Sequence, residues 1–277
     1  MNNHYSKIEP ALYVISTPIG NMQDISNRSL KMLSLSDYIL CEDTRITSKL
    51  LNFYSIKKKL ISFNVVNEKQ KIHKILEDLK NQKVISLVSD AGTPAISDPG
   101  SNLISKCYEI GVQVRPIPGA SAILSAVSVS GFSDNFYFCG FLPKKQTELE
   151  KFLAKIKLVK ASLVFFIPAR DLGKNSKFLT KYFPKSNFLI AREMTKVHET
   201  YIKDTIVNIN KYVQDNDKGE MTLVIDNSVE EKNNINIDKE IKLLIGKMTS
   251  KNIAQYLSKK LEISKKIIYQ KVIDLNE

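Results

Sequence analysis

Strand, polar turn, helix: this order recurs four times in the first half of the chain. "ALYVIS" (11–16), "DYILC" (37–41), "VISLV" (84–88) and "VQVRPI" (112–117) are apolar, β-branched runs of strand length. Helical spacing appears at 25–35, 44–54, 68–81 and 100–110. Strands joined through helices must run parallel, so this half is expected to form a parallel α/β sheet with helices packed on it. In such sheets ligands gather outside the carboxyl ends of the strands. Three of those ends carry Pro/Gly turns: "TPIGN", "SDAGTPAISDPG" and "PIPGASA". Gly allows backbone to approach a ligand closely, and Pro fixes the loop shape.

The three loops hold carboxylates and hydroxyls but no Lys or Arg. There is no phosphate-binding GxxxxGK[ST] segment and no GxGxxG turn, which argues against a nucleoside triphosphate. Backbone groups with carboxylates suit a ligand with an amine, a purine edge and a positive centre, as in S-adenosylmethionine. A nicotinamide enzyme is a rival, because Glu42 and Asp43 lie about twenty residues after the first Gly turn, where a dinucleotide fold keeps its ribose-binding acid. That turn holds only one glycine, Gly20.

The second half reads differently. After a helix-spaced segment ending in Gly131 come "NFYFCGF", a basic helix from about 147 to 160, "ASLVFFI", a further helix, "NFLIARE", "ETYIKDTI", a short helix and "GEMTLVID". Some strands adjoin without a helix between them, so a mixed sheet in an α+β arrangement is expected. "NSVEEKNNINI" (227–237) is polar and reads as a linker, and 238–277 as short amphipathic helices with a break near "EISKK". The domains expected are 1–118, 119–228 and 238–277.

With 277 residues, 43% of them hydrophobic, the chain can bury substantial cores. No apolar run reaches membrane-spanning length. Cys41, Cys107 and Cys139 are far apart, which suggests reduced thiols in a cytoplasm, and neither they nor His4, His73 and His198 have metal-ligand spacing. The net charge of +12 points to an anionic partner, although 36 of the 41 basic residues are Lys, a pattern that a compositional bias also produces. Its distribution says more: residues 142–187 hold eleven basic and three acidic side chains. Arg45, Arg115 and Arg192 stand beside segments already singled out, as forked donors among lysines would.

"STPIGNMQD", "CEDTR", "VSDAGTPAISDPG", "PIPGASA", "GFLPKK", "AREMTK" and "KGE" occur in that order. Together they resemble the ribosomal RNA small subunit methyltransferase I family, from residue 11 to about 226. The resemblance implies a two-domain tetrapyrrole-methylase-like (class III methyltransferase) α/β fold. It also implies a small helix-turn-helix-like C-terminal domain, a homodimer, S-adenosylmethionine as donor, and the 2′-hydroxyl of a cytidine in the decoding centre of 16S rRNA as acceptor. The partner would be that RNA or the small ribosomal subunit. The sequence departs from the family at "SFNVVNE" (62–68), which has no His, and at "FFIPARDL" (165–172), so no Glu or His role is carried over there.

On this reading Ser89, Asp90, Ala91 and Ile96 contact the donor, Pro18 and Gly20 shape its mouth, and Ser121 and Ala122 abut it. Structural turns and helix–sheet packing would use the same residues. Ser97 and Asp98 read as caps of the next helix. Asp24 is the candidate general base, with Glu42 and Asp43 in reserve; each could equally serve as a helix cap or ion-pair partner. Arg45, Lys144, Lys145, Arg192 and Lys196 are candidate RNA contacts, against a solvated basic face or an interdomain salt bridge. No metal is expected. Other readings are a precorrin-type tetrapyrrole methylase and a non-catalytic RNA-binding factor; the basic belt disfavours the first, and the polar loops the second.

Overall fold

The computed structural model describes residues 8–213, 219–228, 237–261 and 263–275. By contacts the chain divides into two compact units, Met1–Ser228 and Val229–Glu277.

The larger unit holds two sheets. In the first, β1 (Ala11–Ile15), β2 (Tyr38–Cys41), β3 (Leu60–Ser62), β4 (Val84–Val88) and β5 (Val114–Ile117) run parallel in the order β3-β2-β4-β1-β5. Alternate strand residues face opposite sides. Tyr13, Ile15, Ile39 and Cys41 pack with Met32, Leu33, Leu50 and Leu51 of α1 (Asn27–Leu35) and α2 (Thr44–Phe53). Leu12, Tyr38, Leu40 and Leu87 meet Ile72, Ile75, Leu79 and Leu103 of α3 (Glu68–Lys80) and α4 (Ser101–Glu109) on the other side. Both faces are covered, which explains why these strands read as continuous apolar runs. The edge strand β3 escapes a sequence reading: it has three half-buried residues and follows a lysine run.

β1 lies between β4 and β5. The loops that follow these three strands therefore emerge side by side, with the end of β2 beyond β4. Asp43 caps α2, its side chain accepting the N–H of Arg45. Ser26, and not Asp24, caps α1, with its side chain accepting the N–H of Ser29.

The second sheet follows α5 (Ala122–Ser130), which Ser121 caps and Gly131 ends at φ +62°. Its strands β6 (Phe136–Phe141), β7 (Ser162–Pro168), β8 (Asn187–Arg192), β9 (Thr200–Thr205) and β10 (Glu220–Asp226) lie in the order β6-β7-β10-β8-β9. Only β6 and β7 are parallel, so the sheet is mixed. α6 (Gln146–Ile156) and α7 (Leu172–Tyr182) cover one face through Leu149, Leu153, Phe178 and Leu179. α6 ends four residues before the expected 160. α5 covers the other face, its Ile123 and Ala126 against Val164, Leu189, Ala191 and Val224.

The smaller unit contains α8 (Ile237–Leu244), α9 (Ser250–Leu261) and α10 (Lys265–Asp274) around Ile241, Ile253, Leu257, Ile268 and Val272. Most of the expected linker, and Lys218 of "KGE", lie outside the described residues.

Candidate active site

The loops beyond the first sheet are bonded to one another. Thr17 and Gly92 exchange backbone bonds of 2.9 and 3.0 Å, joining the loops after β1 and β4. The Ser16 and Thr93 hydroxyls meet at 2.9 Å, and Thr93 also donates to the Ala120 carbonyl at 3.4 Å. The Asp43 N–H donates to Asp90 Oδ1 at 3.0 Å, adding the end of β2. Gly100 fixes the far end of the long loop. Its φ is +125°, and a Cβ there would lie 2.6 Å from Leu87 Cδ2, so the turn into α4 requires glycine.

The second sheet closes on this group. After β8 the chain turns through Glu193 (φ +49°) and Thr195 (φ +65°), conformations uncommon for residues with a Cβ. Side chains hold that turn: Glu199 accepts the Thr195 N–H at 2.9 Å, and Lys196 Nζ donates to Glu193 Oε1 at 2.9 Å. The Asn21 N–H donates to Thr195 Oγ1 at 3.0 Å, tying the first loop to the second sheet.

A cleft of about 420 Å³ remains between these parts. Its first wall is Ile19, Glu42, the loop from Asp90 to Asp98, and Ser121 to Ile123; its second is Phe141, Phe166, Glu193, Met194, Lys196, Glu220 and Thr222. Thr222 and Phe166 are cross-strand neighbours on the face that α5 covers.

Five carboxylates line the cleft, Glu42, Asp90, Asp98, Glu193 and Glu220, against one ammonium, Lys196, already paired with Glu193. Burial, reinforced by Asp90, Asp98 and Asp43, pushes the Glu42 carboxyl above its ordinary value. Burial raises Asp90 as well; the Asp43 N–H offsets part of this. Asp98 is raised by burial, then by Asp90 and Glu220, with the Ser89 hydroxyl pulling the other way. A cation placed among them relieves this crowding.

The structure separates the sequence candidates. Asp90, Ala91, Ile96, Ser121, Ala122, Glu42 and Lys196 line the cleft. Pro18 and Ser89, with Asp90 and Ala91, line an adjoining recess of about 180 Å³ against α2. The Ser89 hydroxyl turns toward the carbonyls of Ala91 and Gly92. Asp24 is exposed in the short 3-10 helix Met22–Asp24 and is not among the residues that line the cleft. Asp43 and Arg45 hold one another, Nη2 to Oδ2 at 2.5 Å, and Arg45 lowers the Asp43 carboxyl to about 2. Arg192 ends β8 opposite Met221 and Thr200. Lys145 pairs with Glu148 at 3.2 Å, while Lys144 lines a separate recess.

The reading of Ser97 and Asp98 as helix caps is corrected. Gly100 occupies the N-cap position of α4, and both residues line the cleft, with Ser97 at φ +63°. Glu193, Glu220 and Phe141 line the cleft from within "AREMTK", "KGE" and "GFLPKK" without being site candidates, and Thr222 and Phe166 lie outside those segments. Among the described residues no His/Cys/Asp/Glu group could hold a metal.

The family model for Tetrapyrrole (Corrin/Porphyrin) Methylases matches residues 11–210. The chain is 37% identical over 271 residues to the ribosomal RNA small subunit methyltransferase I of Neisseria meningitidis serogroup A, covering 95% of this chain and 93% of that protein. It is 42% identical over 216 residues to the protein of the same name from Thermotoga maritima, covering 77% of this chain and 97% of that protein. Among solved structures, uroporphyrin-III-C-methyltransferase from Thermus thermophilus superposes with a TM-score of 0.57 at 14% identity, over 79% of this chain and 96% of that one, a likeness of fold.

Proposed function

Because the chain belongs to the tetrapyrrole methylase family, and within it to the ribosomal RNA small subunit methyltransferase I family, we propose that it methylates the ribose 2′-hydroxyl of a cytidine in small-subunit rRNA, with S-adenosylmethionine as donor. The observation that carries this reading is the cleft, with five carboxylates against one ammonium. Such a site fits a ligand whose ammonium and sulfonium carry more positive charge than its single carboxylate returns. Bound there, S-adenosylmethionine supplies a methyl group on a positively charged sulfur.

The protein then has two tasks. The first is alignment. Asp90, fixed by the Asp43 N–H, together with Ala91, Ser121 and Ala122, would hold the donor on the first-sheet side, while Thr222, Met194 and Phe166 close the other. The second is to accept the hydroxyl proton. Glu42 is the carboxylate of the three candidates that lines the cleft, and its raised value brings it nearer neutrality, where a base works best. Asp24 is exposed, and Asp43 is bound to Arg45. The basic side chains at 142–187 would receive the RNA backbone outside the cleft.

A precorrin-type acceptor fits less well. Its carboxylates radiate from all sides of the ring and would enter the acidic cleft, whereas an RNA strand can offer a ribose hydroxyl with its phosphates turned away. The reading includes a cytoplasmic homodimer; exposed Leu124, Val129, Phe136 and Tyr137 offer apolar surface for a second copy, to be checked by sedimentation. No helix among the described residues is long and apolar enough to cross a membrane.

The test is transfer of labelled methyl to small ribosomal subunits, with the label mapped by resistance of the 2′-O-methylated linkage to alkali. Label at one cytidine is expected, with single-turnover transfer slowed about 10²-fold or more in Glu42→Gln. Label in uroporphyrinogen and none in RNA would overturn the reading.

A further inference from the structure

Beside the acidic cleft lies a second recess of about 270 Å³ with the opposite charge. Phe141 and Phe166 belong to both, so the two spaces share an aromatic wall. Its polar lining is Lys144, Arg170, Asp171 and Asn175, beside apolar Leu142, Ile167 and Pro168. Neither the Lys144 ammonium nor the Arg170 guanidinium makes an ion pair among the described residues. Lys174 is engaged differently: its Nζ donates to the Lys144 carbonyl at 3.1 Å and holds the loop after β6 against α7.

Asn175 points to a ligand independently. It is 95% buried on α7 and lines the recess, yet its side-chain amide takes part in no hydrogen bond among the described residues. Among the described residues the buried side-chain atom without a partner is Glu68 Oε1, so the Asn175 amide is not sealed in the core but opens onto the recess, where an incoming group can bond it. An amide presents one acceptor and two donors, the pattern that pairs with the edge of a nucleobase. The Phe141 ring, half-exposed, lies 5.4 Å from the Phe166 ring at 57°, giving a face for stacking. Arg170 and Lys144 supply cations for a phosphate.

We infer that this recess takes a nucleotide of the RNA strand next to the one being methylated, its base stacked on Phe141 and bonded to Asn175, its phosphate held by Arg170 and Lys144. The inference rests on the RNA reading above and extends it to a binding register. The charge reversal across the shared wall separates the partners: a cationic donor among the carboxylates, an anionic strand among the bases.

The full chain is titrated with a short cytidine-containing single-stranded RNA over a range of salt, and separately with S-adenosylmethionine. Arg170→Ala should weaken RNA binding about tenfold and reduce the salt slope by about 0.7. Asn175→Ala should weaken it several-fold with the slope unchanged and the base preference at one flanking position relaxed. Its unfolding midpoint should hold, because no internal bond is lost. Donor affinity should be unaltered in both. Wild-type RNA affinity and slope in both variants would overturn the inference and leave the RNA reading intact. Loss of donor affinity would also overturn it, assigning the recess to the donor. A wild-type chain that binds donor but no RNA would overturn the RNA reading, and the recess with it.

Discussion

Gly20 shows what holds the cleft together. A Cβ at this position would lie 2.6 Å from Lys196 Cγ, 2.7 Å from Thr195 Oγ1 and 2.9 Å from the Met194 carbonyl oxygen. Lys196 can swing aside. The other two atoms belong to the turn after β8, and Thr195 Oγ1 also accepts the Asn21 N–H. Gly20→Ala therefore forces the first-sheet loop away from the second sheet. Overpacking costs about 1–3 kcal/mol, and the strained or lost bond adds about 1 kcal/mol. The sum, about 2–4 kcal/mol, appears either as lost stability or as a widened cleft. At about 2–4 °C per kcal/mol for a unit of this size, the midpoint falls by roughly 4–16 °C if the loops stay closed. If they part, donor affinity falls instead, by roughly 30- to 1,000-fold. Thermal unfolding with and without S-adenosylmethionine, together with donor calorimetry, separates the two. Gly111→Ala is the control. It has φ +72° but nothing within 4 Å, so it should cost about 1 kcal/mol of backbone strain and leave donor affinity alone. A Gly20→Ala chain with wild-type midpoint and affinity would refute the claim that the two loops constrain each other.

The raised carboxylates give a pH dependence of definite sign. Glu42, Asp90 and Asp98 lie above their ordinary values of 4.5, 3.8 and 3.8, so a bound cation favours their ionised forms and displaces protons. Donor affinity should rise with pH above the ordinary carboxylate range and level off once all three are ionised, while the share of unliganded stability from these groups declines over the same window; calorimetry in buffers of different protonation enthalpy checks the proton release. On the far face of the first sheet, Asp78 is 94% buried and accepts from Tyr38 at 3.0 Å and Lys83 at 2.9 Å. Asp78→Ala leaves the buried Tyr38 hydroxyl without its partner and should cost about 2–3 kcal/mol in urea unfolding, with donor affinity unchanged. Replacing Lys144 and Lys145 together with Ala should lower RNA affinity and flatten its salt dependence; unaltered RNA titrations would make the belt a solubilising face.

The first-sheet wall of the cleft could be located in the sequence because its residues are contiguous with the strands that carry them. Asp90, Ala91 and Ser121 each lie within a few residues of a strand end, and Pro/Gly turns mark those ends. Asp98 shows the limit of local reading. "SDPG" before a helix has the appearance of a cap, but Gly100 at φ +125° takes that position and leaves Asp98 lining the cleft. The opposite wall is non-local. Thr222 and Phe166 come together because β10 and β7 pair antiparallel in one register, and a slip by one residue would exchange the faces of every side chain. Glu193 joins them because the turn after β8 adopts positive φ without glycine, which no residue type announces, and Glu220 because it opens β10 directly after Gly219 at φ +94°. The unbonded amide of Asn175 was equally hidden: at its position in the basic belt an Asn reads as helix surface, and only burial distinguishes it.

The electrostatic arrangement follows from the two folds. Carboxylates cluster where strand ends of the first sheet meet Glu193 and Glu220, and bases cluster on the loops and helices behind β6 and β7. A single mixed field would serve neither ligand: bases within the cleft would repel a sulfonium, and acids outside would repel phosphates. With a Debye length of about 8 Å at physiological salt, charges on the exposed rim act mainly on what lies beside them. The Phe141–Phe166 wall lies between the two sets. Because the cleft is partly enclosed and the belt is solvated, salt should act unequally, weakening the basic side far more than the acidic one. That inequality distinguishes a two-compartment site from a merely basic protein, in which salt would weaken only the polyanion, and from a merely acidic one, in which no polyanion would bind at all.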